Sequence, residues 1–198
     1  TGTVTAAVVM MGIGPFFRAF SALPTVEDRL QGLPGAVQGM QDVLRRSHRA
    51  ATFALAFAVH RMDPDTPLIH QAALLHDFAE LLLWCHAPSL ALELRHLQHC
   101  EARMRSAAAQ RVVLGIELAD LQLALMSAWR LHDLLVTTAD ERHAEHPSVK
   151  TVTLAVRVAR HSTHGWGNVA LDDDFSEAAI LLNLSPPAAR QLILDIGA

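Results

Sequence analysis

A chain of 198 residues with 51% hydrophobic and 18% charged residues can bury one sizeable core, which excludes disordered, collagen-like and polar low-complexity classes. The formal net charge is −4 and no window forms a dense Lys/Arg block, which argues against a nucleic-acid binder that works by phosphate neutralisation. The 12 histidines make the charge sensitive to pH near their ordinary pKa of about 6.5, but they are scattered rather than clustered.

The N-terminal stretch reads as two helices, about Val4 to Met11 and Pro15 to Ala22, with Pro15 at a helix start. A short helix follows Thr25, with Glu27 and Asp28 where the helix dipole favours acids, before Gly32, Pro34 and Gly35 break the chain. A long helix is expected from about Ala36 to Arg61. The next runs from Leu68 to about His86 and is apolar on nearly every face, the mark of a helix at the centre of a bundle. Pro88 starts a helix to about Arg105, Ser106 caps one ending at Leu114, and Glu117 to Leu131 is amphipathic. A shorter helix covers Asp133 to Thr138, and Ala139 to Pro147 reads as a loop or a frayed helix end. Val149 to His161 is helical, Gly165 to Asn168 is a turn, Asp172 to Asp174 cap a helix through Leu184, and Pro186 opens the last helix. No hairpin signal joins alternating β-branched runs, so the fold class is all-α, one domain over 1–198.

Cys85 and Cys100 are too few for a disulfide framework, which points to a reducing compartment. No apolar run approaches the roughly 18 residues of a membrane span, and no basic leader precedes Ala6 to Phe17. A cytoplasmic protein is expected. The start at Thr1, already inside an apolar stretch, suggests a piece cut from a longer chain.

The most informative dipeptide is His76-Asp77, on the most apolar helix. A charged residue there needs a partner. Neighbouring helical positions point about 100° apart, so both side chains can reach one ion over that edge. His48, 28 residues upstream on the preceding long helix, would face His76 across a helical hairpin. Other constellations weigh less. His96, His99 and Cys100 share a helix face with zinc-like spacing but no evident fourth ligand. His161 and His164 could line a pocket beside Trp166 or simply end a helix. No Gly-rich phosphate loop, nucleophile elbow or supported Cys/His dyad is present.

His48 followed by AALLHD at Ala72 to Asp77 resembles the HD superfamily of metal-dependent phosphohydrolases, whose ligands are a His, a His-Asp pair and a distant Asp. More specifically, VMMGI at Val9 to Ile13, ALPTVED at Ala22 to Asp28, and the stretch from Leu114-Gly115 to Trp129 and Leu131 resemble the HDOD family of bacterial signalling domains. That resemblance spans about Val4 to Ile196. It implies an HD-like helical bundle over 36–198 with an N-terminal helical sub-bundle over 1–35, and a missing part of the family's N-terminal portion. His48, His76 and Asp77 are then vestigial metal-ligand candidates. The chain departs from the pattern after His76-Asp77, where Phe78-Ala79-Glu80 replaces Ile-Gly-Lys, and at Leu118, where the family has His. Only His143 and His146 stand near the place of a later His pair. The distant Asp should fall within Leu154 to Arg160, which offers Arg157 and Arg160 instead.

The resemblance therefore implies a non-catalytic regulatory domain that needs no cofactor and works through a protein partner, a fused signalling domain, a ligand or a second copy of itself, with neither nucleic acid nor membrane involved. The alternative is a divergent phosphohydrolase acting on a nucleotide or cyclic dinucleotide, with one iron, manganese or zinc ion on His48, His76 and Asp77 activating water. A third reading has the old cleft binding a small anion through Arg157 or Arg160.

Overall fold

The computed structural model describes residues 3–101 and 103–197, and every regular element among them is helical. In chain order these are α1 (Val4–Met11), α2 (Ile13–Phe20), α3 (Val26–Arg29), α4 (Pro34–His60), α5 (Thr66–Leu74), α6 (Phe78–His86), α7 (Pro88–Cys100), α8 (Ser106–Leu114), α9 (Leu118–Ala128), α10 (Asp133–Ala139), a 3-10 turn (Glu141–His143), α11 (Pro147–His161), α12 (Leu171–Leu182) and α13 (Pro186–Ile196). None is long and apolar enough to cross a membrane.

Prolines open α4, α7, α11 and α13, where the absent N–H costs no intrahelical bond. Pro15 differs from expectation. It lies inside the first turn of α2, which begins after Gly12 at φ 84°, a conformation glycine adopts freely. Two further expectations are corrected. The single helix read from Leu68 to His86 is broken at residues 75–77 into α5 and α6. The loop read between Ala139 and Pro147 contains a 3-10 turn capped by Asp140, whose carboxylate accepts from the Arg142 backbone at 3.0 Å. Hydrogen bonding from the Arg142 side chain, against the opposing effect of burial, lowers the Asp140 carboxyl to about 2.

The chain forms two compact units. The first comprises the chain up to Val43 together with Phe78–His132. In it α6 packs on α7 and α9, and α7 on α8. Phe78 and Trp129 meet with ring centroids 5.8 Å apart. Trp84, 3% exposed, lies against Gly39, and Arg95 covers its ring at 5.2 Å while donating to the Gly35 carbonyl. A Cβ at Gly39 would sit 2.4 Å from two atoms of that ring. Gly39→Ala therefore sets an overpacking cost of ~1–3 kcal/mol against a helix-propensity gain of at most ~1 kcal/mol. A net loss of stability with altered tryptophan emission is expected in urea titrations followed by fluorescence; a stabilised variant would contradict it. By contrast, α1 and α2 bury no residue, and Val9, Met10 and Ile13 are 73%, 78% and 70% exposed.

The second unit comprises Leu44–Asp77 and Asp133–Ala198. Its core includes Phe53 and Phe57 from α4, Ile69 and Ala73 from α5, Val152, Leu154 and Val158 from α11, Leu171 and Phe175 from α12, and Ile193 from α13. Here α11 packs on α5, α10 and α12, and α13 packs on α12. The apolar stripe of α12 carries Leu171, Phe175, Ala178 and Leu182, and Asp174 falls within it. This helix corrects the expectation that Asp172 to Asp174 cap it. Ala170 is its N-cap, and Asp174 is buried.

Candidate functional site

His76 and Asp77 occupy the turn between α5 and α6, in the second unit with the part of α4 that carries Arg46 and His48. The Asp77 carboxylate is engaged on both oxygens. Oδ2 accepts from Arg46 Nε at 2.9 Å and lies 2.8 Å from Arg46 Nη2, while Oδ1 lies 2.9 Å from His76 Nδ1. The three side chains are 20%, 14% and 29% exposed for Arg46, Asp77 and His76, so water screens this cluster only in part. Burial pushes the Asp77 carboxyl up. The hydrogen bond and charge of His76, with the charges of Arg46 and Arg160, outweigh it and hold the group below the usual carboxylate range.

His48 stands on an exposed position of α4, where its carbonyl accepts from Thr52 Oγ1. Among the described residues no three His, Cys, Asp or Glu side chains gather as a metal-ligand group. The donor set around Asp77 does not fit a divalent ion. A guanidinium, which has no lone pair to offer, already lies against one carboxylate oxygen, and an imidazole nitrogen is turned onto the other. Arg46 was the residue that sequence reasoning missed, although it lies two positions before His48. A half-buried aspartate calls for a cation, and the same helix supplies one.

Arg157 and Arg160 part company. Arg160 is exposed and acts on Asp77 through charge alone. Arg157 donates through Nε to Asp174 Oδ1 at 3.1 Å and through Nη2 to Glu177, so two carboxylates already neutralise it. Burial disfavours the Arg157 charge, but hydrogen bonding and charge from Glu177 and the charge of Asp174 raise its pKa above the ordinary value. His161 Nδ1 meets the other Asp174 oxygen at 2.6 Å, and His164 is exposed. On α7, Cys100 Sγ lies 3.6 Å from His96 Nε2, and both residues are exposed.

A family model described as the HDOD domain matches residues 1–145. The chain belongs to the HDOD domain family. The match stops before α11, short of the span to Ile196 over which the resemblance was read, but likeness to solved structures extends over nearly all of this HDOD chain. The MmoQ response regulator from Methylococcus capsulatus str. Bath is similar with a TM-score of 0.66 and 16% identity, covering 98% of this chain and 75% of that one. A protein ascribed to signal transduction from Marinobacter aquaeolei VT8 gives a TM-score of 0.58 and 17% identity, covering 93% of this chain and 41% of that one. At such identities the likeness concerns the fold. No curated protein matches.

Proposed function

We propose that this HDOD chain is a non-catalytic regulatory domain of a bacterial, cytoplasmic signalling protein that works by binding a protein partner, a fused domain or a ligand. The observation that carries the reading is the closure of Asp77 by Arg46 and His76. The carboxylate that would hold a metal and orient a water in a hydrolase is already taken by the chain's own Arg46 and His76, and His48 faces solvent. The exposed apolar side chains of α1 and α2 support the binding role, since contiguous exposed apolar surface marks an interaction site more often than an inert one. The signalling roles named for the two structural relatives agree with it.

The test is elemental analysis of protein purified without chelator or metal-affinity resin. Iron, manganese and zinc far below one per chain are expected, with no change in His76→Ala/Asp77→Ala. Near-stoichiometric metal that disappears in the double variant would overturn the reading in favour of a phosphohydrolase and direct the work to a phosphodiesterase screen.

A further inference from the structure

Arg49 differs from the arginines of the second unit that carry ion pairs in how its charge is met. Arg46, Arg142 and Arg157 are paired with Asp77, with Asp140 and with Asp174, respectively. Among the described residues no carboxylate pairs with Arg49. Its guanidinium carbon lies 5.4 Å from the Phe53 ring centroid and 5.2 Å from that of Trp166, so two aromatic rings hold the cation. Its Nε donates to Ser162 Oγ at 3.0 Å, and that hydroxyl donates onward to the Val158 carbonyl at 2.6 Å. One edge of the guanidinium is thus fixed. The side chain is a preorganised cation with no carboxylate partner among the described residues.

A cavity of about 200 Å³ opens beside it, lined by Arg49, Thr52, Phe53, Ile196 and Gly197. Gly197 is required by close approach. A Cβ there would stand 2.6 Å from the Trp166 ring and 2.9 Å from Arg49 Nη2. The bare backbone lets the end of α13 approach both groups. The volume is below the roughly 300 Å³ at which pockets for drug-sized ligands begin.

We propose that this cavity binds a small carboxylate with a short apolar body. A guanidinium donates two parallel hydrogen bonds to a planar carboxylate, a geometry that a spherical anion does not use. Phe53 and Ile196 supply apolar wall for the rest of the molecule. The site is separate from the Asp77 cluster, and it shares no residue with the anion site expected at Arg157 and Arg160.

The test is a ¹H–¹⁵N NMR titration with sodium benzoate and with sodium butyrate, each against sodium chloride at equal ionic strength, and with inorganic phosphate as a second anion. Saturable shifts centred on the Gly197 amide and the Arg49 Nε–H are expected with a roughly millimolar Kd for at least one carboxylate, and none with chloride. Arg49→Gln should weaken binding at least tenfold. Should that variant fail to fold, Thr52→Phe decides, because it fills the cavity and leaves Arg49 with its rings and Ser162. It too should weaken binding tenfold. The absence of saturable shifts, undiminished binding in Thr52→Phe, or tighter binding of phosphate than of either carboxylate would each overturn the proposal. Because the shifts report occupancy directly, a negative result here leaves the signalling reading standing, and metal in the elemental analysis leaves this one standing.

Discussion

Replacing Asp174 by alanine is expected to lower the unfolding free energy by about 3 kcal/mol. The residue is 2% exposed and is met by the Arg157 guanidinium on one oxygen and by the His161 imidazole on the other. Removing one partner of a buried ionic group costs ~3–5 kcal/mol, because the remaining charges keep their desolvation cost without its compensation. The low end applies, since Arg157 and His161 are 36% and 28% exposed and water takes up part of the loss. For a chain of this size, that corresponds to a Tm lower by ~6–12 °C. Glu177→Ala is the matched control. Glu177 is 43% exposed, and its removal should cost under ~1 kcal/mol. Equal losses in the two variants, measured by calorimetry, would show that burial does not set the value of this cluster.

The second expectation concerns Asp77 and has a pH signature. Asp77→Asn keeps the size of the side chain and removes the charge that meets Arg46, at a cost of ~2 kcal/mol near neutral pH, the usual range for hydrogen bonds to charged groups. In the folded protein the Asp77 carboxyl is held below its ordinary value, whereas the unfolded chain titrates near 3.9. As pH falls through the unfolded value, the unfolded state takes up protons that the folded state does not yet accept, and stability drops. The stabilisation is therefore complete above about pH 5 and is lost progressively below about pH 4. Urea denaturation of both proteins between pH 7 and pH 3 should show the difference constant at the upper end and shrinking at the lower. A difference that stays constant to pH 3 would mean that packing, not charge, gives Asp77 its effect. Asp140 contributes an acid loss of the same sign in both proteins, so it cancels in the comparison.

These two aspartates also mark where the sequence was legible and where it was not. Helix positions could be read because local chemistry fixes them. Pro88 and Pro186 stand at helix starts, and a short helix opens after Thr25 with Glu27 and Asp28 in its first turn. The break at residues 75–77 left no such mark. The residues around it are apolar on every face, so no periodicity ends there, and the partner that engages Asp77 lies 31 positions away. Asp174 looked like one of three capping acids. Its place on the apolar stripe, between Leu171 and Ala178, was the available clue that it pointed inward. His48, His76 and Asp77 were found through a family pattern, but pattern does not reveal that a nearby arginine has taken the carboxylate. Arg49, next to His48, gave no signal at all. Its character depends on Trp166 and Ser162, which only the folded chain brings to it.

The threading of the chain has a consequence for heredity. Each compact unit is assembled from two separated stretches, and the polypeptide passes between them at residues 43/44, 77/78 and 132/133. No single cut separates the two units from each other. Trimming at residue 145, where the family match ends, would delete α11, the helix on which both α5 and α10 pack. A gene rearrangement that moves this domain must therefore carry it whole, because a breakpoint at 43/44 breaks the first unit, one at 132/133 breaks the second, and one at 77/78 leaves both half built.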